Sequence, residues 1–496
     1  MRKSKQRCRA KEHQSGVEVE ILDAVIVGGG LGGVVMLAEA VQQRYTRILL
    51  LERAESLGGL WARVPSWQTI QNHPLDFCLQ GFTTRKAAWH ARDVLHFIEA
   101  YVRVQNLQHY IRCSHDVVGG SWSDAEGCWV LQVLVGSGRR DVIRCRKLVL
   151  CTGRHASPIV PPVDTDGSVP MVHSSQFDRW EETRGKRVVV VGGGASALDL
   201  CVNVLRRQEN DDPHGQLHWV VRSPRFFSGS ESLRVWPMTI LQLLCGMTVS
   251  TFILNALINA QAVITFGRRG LRSWLPPRRF DLRDDQYVPG RSSLLRNSRR
   301  IRRYAGVGIE TVRSRAVTLT DGTIIESVDL VLLGTGYARP AHPAGVGTLD
   351  GLSLKSCAAD EHQGRLFLVG EELLDTTGAA PALYHVFGRV FWTLVRDEQC
   401  LQQLPLLDLT TSRPPGNLNN MDVINHIVSL ASGNRVLRPV IRSIFPFFTW
   451  RIRMCCVFIY YSWLYRTTVF FSDRVLGHMM SLDGATHRAH CAGRRL

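Results

Sequence analysis

Two short β-branched runs, each followed at once by a glycine-rich turn, stand out in the pattern of apolar and polar positions. Residues 24–27 are Ala-Val-Ile-Val and lead into 28–33, in which every residue but the fourth is glycine. Residues 188–191 are four valines and lead into 192–197, Gly-Gly-Gly-Ala-Ser-Ala. Unbroken apolar runs of this length are typical of strands buried on both faces of a parallel sheet. The pattern therefore predicts an α/β fold with two Rossmann-like units.

The spacing of the small residues in both turns suits a dinucleotide phosphate. The first glycine makes a tight turn, the second lets the backbone approach a pyrophosphate, and the third small residue lets helix and strand pack. The N-terminus of the helix then faces the anion. A plain structural turn is the alternative for each. The predicted cofactor-binding residues are Gly28, Gly30, Leu31 and Gly33 in the first unit and Gly192, Gly194, Ala195 and Ser196 in the second.

The residues that end the next predicted strand distinguish the two sites. In the first unit that strand ends in Glu52, whose carboxylate can accept both hydroxyls of a ribose but repels a 2′-phosphate. In the second unit it ends in Arg222, Ser223 and Arg225, which can bind a 2′-phosphate through guanidinium and hydroxyl groups. We therefore expect FAD at the first site and NADPH at the second. The alternatives are a solvated acid and surface arginines.

The cysteines argue against a disulfide as the acceptor of electrons from a reduced flavin. The sequence has no C-x-x-C or C-x-x-x-x-C pair; Cys455 and Cys456 are adjacent and lie in an apolar stretch. An apolar setting raises a thiol pKa and disfavours thiolate chemistry. Molecular oxygen is the acceptor that this reasoning favours.

Further motifs resemble those of one flavoprotein family. Residues 57–61 are similar to its Gly-Gly-x-Trp, 148–153 and 330–337 to its two Ala-Thr-Gly strands, and 366–370 to its late strand. The chain thus resembles the flavin-containing monooxygenases, class B enzymes related to the Baeyer–Villiger and plant auxin-forming enzymes. The cofactor-binding residues that the resemblance implies are Gly59, Leu60, Trp61, Thr152, Gly153, Thr335, Gly336, Tyr337 and Gly370.

The resemblance also implies a mechanism and one catalytic residue. NADPH would reduce FAD, O₂ would add to give a flavin C4a-hydroperoxide, and one oxygen would pass to a small lipophilic substrate in a site kept dry by the protein. Residues 67–74 resemble the segment that carries the family's active-site asparagine, here Asn72. A neutral amide can donate and accept hydrogen bonds without adding charge. A turn residue before Pro74 is the alternative reading of Asn72.

Several positions depart from the family pattern. Cys151 and Gly334 replace the alanines of the two Ala-Thr-Gly motifs. His173 and Phe177 match the end of the signature F-x-G-x-x-x-H-x-x-x-[Y/F], but Val169 replaces its glycine. The aromatic residue favours N- or S-oxygenation over Baeyer–Villiger oxidation, and His173 is either a hinge residue or only a linker. An NADPH oxidase that releases H₂O₂ and a membrane-docked redox sensor are the other hypotheses.

The net charge of +17 calls for an anionic partner. The arginines are scattered and no nucleic-acid module is recognisable, so we expect no nucleic acid and favour a peripheral or monotopic membrane contact. Residues 235–267 carry no charge, and 444–471 interleave aromatic residues with arginines. The first stretch suits a helix at the substrate entrance that touches lipid, or core packing; the second suits a membrane interface. The sequence leaves the oligomeric state open.

The expected organisation follows from these segments. Thirteen cysteines without metal-ligand spacing favour a reducing compartment, so we expect the cytosol or the cytoplasmic face of a membrane such as the endoplasmic reticulum. A chain of 496 residues exceeds one core. The predicted domains are a basic flexible tail at 1–17, an FAD-binding domain at 18–160 and 330–435, an inserted NADPH-binding domain at 161–329, and a membrane-associating extension at 436–496.

Overall fold

The protein is seen here in a computed structural model. The described residues are 20–70, 74–79, 82, 84, 86, 89–136, 138–153, 155, 157–208, 217–227, 252–253, 255–281, 287–288, 292–338, 343–346, 366–368, 384–385, 388–389, 391–392 and 395. Asn72, Gly370 and the stretch at 444–471 therefore lie outside the described residues.

A seven-stranded sheet forms the core of the first unit. Its central strands are parallel, and the apolar run at 24–27 in β1 and most of β2 are buried, as their sequences predict. In spatial order, the strands are β3 (Ile111–Arg112), β2 (Ile48–Leu51), β1 (Ile21–Val27), β6 (Arg139–Leu150), β5 (Cys128–Val135) and β4 (His115–Ser123), and β20 (Leu366–Leu368) also pairs with β6.

The long strand β6 belongs to two kinds of pairing. Its carboxyl half pairs in parallel with β1, and its amino half pairs antiparallel with β5. The last three residues of β6, 148–150, extend past the end of its pairing with β5, and β20 pairs with them in parallel. The late strand expected at 366–370 therefore does return to the first sheet, in its described part.

A second sheet, with all strands parallel, forms the core of the second unit. In spatial order its strands are β14 (Ile301–Ala305), β11 (Leu217–Val221), β10 (Val188–Val191), β18 (Leu330–Leu333) and β9 (Met171–His173). Smaller sheets contain β7 (Ser157–Pro158), β8 (Asp164–Thr165), β12 (Phe226–Phe227), β13 (Tyr287–Val288), β15 (Ile309–Arg313), β16 (Ala316–Leu319), β17 (Ile324–Ile325) and β19 (Tyr337–Ala338).

The position of β18 corrects one predicted boundary. We placed the change from the second unit to the first between residues 329 and 330. In the structure all four residues of β18 are buried between β10 and β9, because a fully apolar strand needs a partner on each edge and cover on each face. The chain therefore leaves the second sheet after Leu333. The other domain boundaries stay predictions.

One helix follows each glycine-rich turn. In the first unit α1 (Leu31–Gln42) begins directly after Gly30, and in the second unit α5 (Ala195–Arg207) begins directly after Gly194. The α-helices are α1 (Leu31–Gln42), α2 (Leu60–Arg63), α3 (Pro74–Phe77), α4 (Ala91–Val104), α5 (Ala195–Arg207) and α6 (Ser292–Arg296), and there are 3₁₀-helices at Gln108–Tyr110, Trp180–Thr183, Arg272–Trp274 and Ser298–Arg300.

The described part of the uncharged stretch 235–267 is helical and ends as a π-helix, Ala262–Gly267. Ile258, Ala262 and Phe266, spaced four residues apart, are buried in the core of the second unit. The core-packing alternative therefore holds for one face of this helix. Among the residues that the structure describes, no helix combines the length and the apolar character that crossing a membrane requires.

Candidate functional site

The first glycine turn leaves no room for side chains at two positions. Gly28 has a φ of +112°, and a β-carbon there would overlap the carbonyl oxygen of Cys151. A β-carbon on Gly33 would overlap the carbonyl oxygen of Gly28. At Gly30, by contrast, the nearest atom would be 3.7 Å away. The first and third glycines thus close the turn sterically, and the second leaves space above the start of α1, where Leu31 lies.

Glu52 braces this turn directly. Its Oε2 accepts the backbone N–H of Gly29 at 2.5 Å, and its Oε1 accepts that of Ala54 at 2.8 Å. Each carboxylate oxygen has a second lone pair, so the group can still accept ribose hydroxyls. A cavity of about 310 Å³ opens nearby, lined by Arg53, Glu55, Ser114, Asp116, Leu134 and Gly136.

The Gly-Gly-x-Trp segment lies against the same turn. Gly58 donates its N–H to the carbonyl of Gly29 at 2.9 Å. Gly59 has a φ of +56°, and a β-carbon there would be 3.0 Å from the Cα of Gly30. Because α2 starts at the next residue, Leu60 and Trp61 are held beside the turn. The structure therefore brings these predicted residues together, and Cys151 likewise brings Thr152 and Gly153 to it.

The second turn has the same backbone geometry as the first, with Ala197 in the place of Gly33 and Gly334 in the place of Cys151. Gly192 has a φ of +132°, and a β-carbon there would overlap the carbonyl oxygen of Gly334. A β-carbon on Gly334 would in turn be 2.5 Å from the Cα of Ala197. Ala197 occupies the third position of the fingerprint, where the first unit has glycine. Gly334, which replaces the family's alanine, thus leaves room for the backbone of Ala197 in the first turn of α5.

Open space lies in front of the second turn. A β-carbon on Gly194 would meet no atom within 4 Å, and α5 begins directly after it, with Ala195 and Ser196 in the first turn. Arg222, Ser223 and Arg225 are exposed beyond the end of β11. This loop adjoins the turn, because a β-carbon on Gly193 would be 2.8 Å from the carbonyl oxygen of Ser223.

His173, at the end of β9, contacts the segment that leads out of the second sheet after β18. Its Nε2 lies 3.0 Å from the carbonyl oxygen of Gly336, and the backbone N–H of Ser175 donates to its Nδ1 at 3.2 Å. A carbonyl can only accept, so the proton is on Nε2 and the ring is neutral. Burial lowers the pKa of His173, which agrees with that state. His173 is therefore hydrogen-bonded through both ring nitrogens, and its role as a hinge stays a prediction.

Two chain segments connect the units, one containing β7 and the other β19, and hydrogen bonds hold these segments together. Ile159 donates its N–H to the Gly336 carbonyl at 3.0 Å, and the Thr335 hydroxyl donates to the Ile159 carbonyl. β7 and β19, one from each connecting segment, pair antiparallel, with Tyr337 opposite Pro158. Phe177 is buried, and its carbonyl accepts the indole N–H of Trp67 at 2.6 Å. The residues that match the end of the signature thus pack at the junction.

One buried charged cluster escaped the sequence analysis. Glu39, on α1, accepts hydrogen bonds from His385 and, at 2.9 Å, from Arg389. Trp392 donates its indole N–H to the Met36 carbonyl at 2.8 Å. These contacts dock the described part of 384–395 onto α1. The only sequence signal was a single acid in an otherwise apolar helix.

The fold and the two turns define a class of architecture, an α/β protein with two Rossmann-like units. The family model of the L-lysine 6-monooxygenases and L-ornithine 5-monooxygenases matches residues 78–235, and that of the NAD(P)-binding Rossmann-like domains matches 26–96. Among solved structures, cyclohexanone monooxygenase from Rhodococcus sp. Phi1 bound to NADP⁺ is similar, with a TM-score of 0.56, 14% identity, and coverage of 76% of this chain and 84% of that chain.

Relatives point to the same group. The FAD-containing monooxygenase EthA of Mycobacterium tuberculosis is 28% identical over 190 residues, 36% of this chain and 38% of its own length. Indole-3-pyruvate monooxygenase YUCCA4 of Oryza sativa subsp. japonica is 27% identical over 352 residues, 64% of this chain and 75% of its own length. The match to EthA thus spans well under half of that relative. These findings confirm the resemblance: the chain is similar in sequence to flavin-dependent monooxygenases and in fold to cyclohexanone monooxygenase.

Proposed function

We propose that the protein is an FAD- and NADPH-dependent monooxygenase that transfers one oxygen of O₂ to a small lipophilic substrate. The observation that carries the proposal is the difference between the two turns. An acid, Glu52, braces the first turn, whereas exposed arginines, Arg222 and Arg225, follow the corresponding strand of the second. An FAD ribose suits the first arrangement and a 2′-phosphate the second. The relatives' names, FAD-containing monooxygenases among them, support the same cofactors.

Different groups of residues would bind different parts of the two cofactors. The open backbone at Gly30 and Gly194 and the starts of α1 and α5 would hold the two pyrophosphates. Glu52 would hold the FAD ribose, and the loop after β11 the 2′-phosphate of NADPH. Bound flavin supplies the redox and oxygen chemistry, and the protein keeps that site dry. Asn72 would hydrogen-bond the reacting centre as a neutral amide; it lies outside the described residues.

N- or S-oxygenation is the reaction that we favour. Its support is the match of residues 78–235 to the family model of the L-lysine 6-monooxygenases and L-ornithine 5-monooxygenases, whose names denote oxygenation of amino acids, together with the aromatic Phe177 of the family signature. Amines and sulfides are soft nucleophiles that accept an electrophilic oxygen without a protein nucleophile. Baeyer–Villiger oxidation is the less favoured reaction.

The test measures coupling on the purified, FAD-loaded full chain. NADPH consumption, H₂O₂ release and oxygenated product are quantified with tertiary amines, thioethers and ketones. The proposal requires that an amine or thioether yields product and lowers the H₂O₂ released per NADPH. H₂O₂ equal to NADPH with every substrate would instead make the protein an oxidase. Flavin that NADPH does not reduce would leave only the redox-sensor hypothesis.

We further propose that one face of the second unit contacts an anionic membrane on its cytoplasmic side. Phe252 and Val263 are 74% and 67% exposed, opposite the buried face of their helix. Exposed Arg268 and Arg269 follow directly, and basic residues beside apolar ones suit an anionic lipid surface. Cosedimentation with phosphatidylserine vesicles should fall in a Phe252→Ser, Val263→Ser variant and persist in Ile324→Ser, which changes a similarly exposed residue elsewhere. Equal sedimentation of both variants would refute the contact.

A further inference from the structure

The second glycine turn accepts a hydrogen bond from a buried indole. Trp219, in β11, donates its Nε1–H to the carbonyl oxygen of Gly192 at 2.8 Å. The indole lies in the core of the second unit and is almost fully buried. Its acceptor belongs to the peptide group that joins Gly192 to Gly193, which is the first peptide group of the turn. A side chain of the neighbouring strand therefore sets the orientation of that peptide group.

In the first turn, a different side chain holds the corresponding peptide group from its other end. The strand registers place Leu50 of β2 where the second unit has Trp219, and leucine has no hydrogen-bond donor. The carboxylate of Glu52 instead accepts the N–H of Gly29. The first turn is thus braced at the N–H of this peptide group, and the second turn at its carbonyl.

The second unit has a valine at the position of Glu52. The same registers, continued by one residue, place Val221 there. A β-carbon on Gly193 would be 3.0 Å from a methyl carbon of Val221, as one on Gly29 would be 2.9 Å from the Cβ of Glu52. A carboxylate at this position would repel the 2′-phosphate of NADPH. Valine avoids that repulsion, but it cannot brace the turn as the carboxylate does.

A brace matters here because the turn consists of three consecutive glycines, 192–194. Glycine has access to more backbone conformations than any other residue. Fixing a loop in its bound conformation raises affinity, because less freedom is lost on binding. The carbonyl and the N–H of a trans peptide group point in opposite directions. A carbonyl held by the buried indole therefore directs the N–H of Gly193 away from that indole.

The indole of Trp219 is itself held on its edges and on one face. The rings of Phe227 and Trp274 meet it edge to face, at 6.2 and 5.6 Å between centroids. Arg303 lies over its face, with Cζ 5.0 Å from the ring centroid. The guanidinium donates in turn to the carbonyls of Ser273 and Trp274, at 2.8 and 3.1 Å. The N–H donor is therefore fixed by packing before any ligand binds.

We propose that Trp219 is a positioning residue of the second turn, whose indole N–H keeps the peptide group between Gly192 and Gly193 in the orientation that binds NADPH. It takes the place of the brace that Glu52 provides in the first turn. Trp219 acts through the backbone of the turn and has no contact with the ligand in this role. The inference rests on the proposed NADPH site, and it adds a residue that the glycine pattern does not include.

Two substitutions separate the hydrogen bond from the packing of the ring. Trp219→Phe keeps an aromatic ring in the core and removes the N–H. Trp219→His lacks the benzene ring but keeps an N–H at the same place, because the imidazole Nε2 superposes on the indole Nε1. Binding of NADP⁺ is measured by titration calorimetry on the FAD-loaded full chain, without turnover and at about pH 8, where an ordinary imidazole is neutral. FAD affinity and the free energy of unfolding in urea are measured for the same variants.

The two variants should rank in opposite order by affinity and by stability. Trp219→Phe should weaken NADP⁺ binding about 3- to 10-fold, the range of one hydrogen bond, and leave FAD affinity unchanged. Trp219→His should bind NADP⁺ more tightly than Trp219→Phe, although its smaller ring leaves a cavity and makes it the less stable of the two. Trp129→Phe is the matched control, because it makes the same change at a fully buried tryptophan of the first unit; it should leave NADP⁺ binding unchanged.

Two results would overturn the inference alone. If Trp219→His bound NADP⁺ no better than Trp219→Phe, the affinity would follow the packing of the ring and not its N–H. If Trp219→Phe bound NADP⁺ as tightly as the wild-type protein, the hydrogen bond would have no role in the turn. Wild-type protein that does not bind NADP⁺ would instead refute the proposed NADPH site, and the inference with it.

Discussion

Gly334 lies so close to Ala197 that a β-carbon added to the glycine would stand 2.5 Å from the alanine's Cα. The contact joins the end of β18 to the first turn of α5, at the edge of the second turn. In the first unit the larger residue of the corresponding pair is Cys151, and the glycine is Gly33. The glycine at 334, which departs from the family pattern, therefore leaves room for the backbone at the start of α5.

This contact makes Gly334 intolerant of a side chain. Gly334→Ala should destabilise the protein by about 1–3 kcal/mol, because it overpacks a site that cannot expand. Ala197→Gly alone should cost about 1 kcal/mol in helix propensity. In the double variant most of the steric cost should remain, because the added β-carbon still meets the backbone Cα and N of residue 197. A double variant as stable in a denaturation cycle as Ala197→Gly alone would contradict the packing described here.

Glu52→Gln should weaken FAD binding. The substitution keeps the size of the side chain but turns an N–H donor toward one of the two backbone N–H groups that the carboxylate accepts. Hydrogen bonds to charged groups contribute about 1.5–3 kcal/mol, so the FAD dissociation constant should rise about 10- to 100-fold in fluorescence titration. Glu55→Gln, at a nearby exposed acid, is the control. FAD affinity that is equal in both variants would remove Glu52 from the site.

Glu39→Ala should be among the most destabilising substitutions in the first unit. It removes the acceptor of His385 and Arg389 and leaves their donors buried. Breaking one side of a buried ion pair costs about 3–5 kcal/mol, measured as the free energy of unfolding in urea. Glu99→Ala, at an exposed position of α4, should change it by less than about 0.5 kcal/mol. Similar losses in both would mean that the cluster contributes little.

His218 should make stability depend on pH. Burial lowers the pKa of His218 from 6.5 to about 4, with Arg187 and Arg302 nearby adding to the effect. Between these values the unfolded chain binds the proton and the folded chain does not, so stability falls as pH falls through this window and is constant above it. At pH 5 the loss is about 2 kcal/mol relative to pH 7.5.

The His218→Phe variant tests this assignment. It fills the same volume, lacks the titrating ring, and should lose that part of the pH dependence between 6.5 and 4 in urea titrations. The hydrogen bond between His218 Nδ1 and the Tyr304 hydroxyl, 3.1 Å long, is lost at every pH and therefore lowers the whole curve. A variant whose stability still falls by the wild-type amount at pH 5 would assign the effect to other groups.

The glycine turns could be predicted from the sequence because their constraints are local. Gly28 and Gly192 need positive φ, and the strands before them are unbroken apolar runs, so a short window contains all the information. Glu52 could also be predicted, because it lies at a known distance along the sequence from the first turn. The sheet to which β18 belongs could not be predicted, because Leu330–Leu333 is equally apolar in either sheet and only its pairing partners distinguish the two.

Contacts between residues that are far apart in the sequence could not be predicted from it. Gly334 looked like a departure because the residue that it accommodates, Ala197, is far away in the chain. Glu39 and its partners are separated by about 350 positions, and nothing near Glu39 indicates which cations approach it. The hydrogen bond between His173 and Gly336 likewise joins residues that are far apart in the sequence.

The position of β20 has a consequence for biogenesis. The strand completes the edge of β6, yet it is synthesised after all five strands of the second sheet. During translation the inserted unit can therefore close its sheet while the surrounding unit still has an open edge. Non-local strand pairing is slow and leaves such edges exposed. The emerging chain should accordingly rely on chaperones until residues 366–368 have left the ribosome, and truncation before that point should yield an aggregation-prone product.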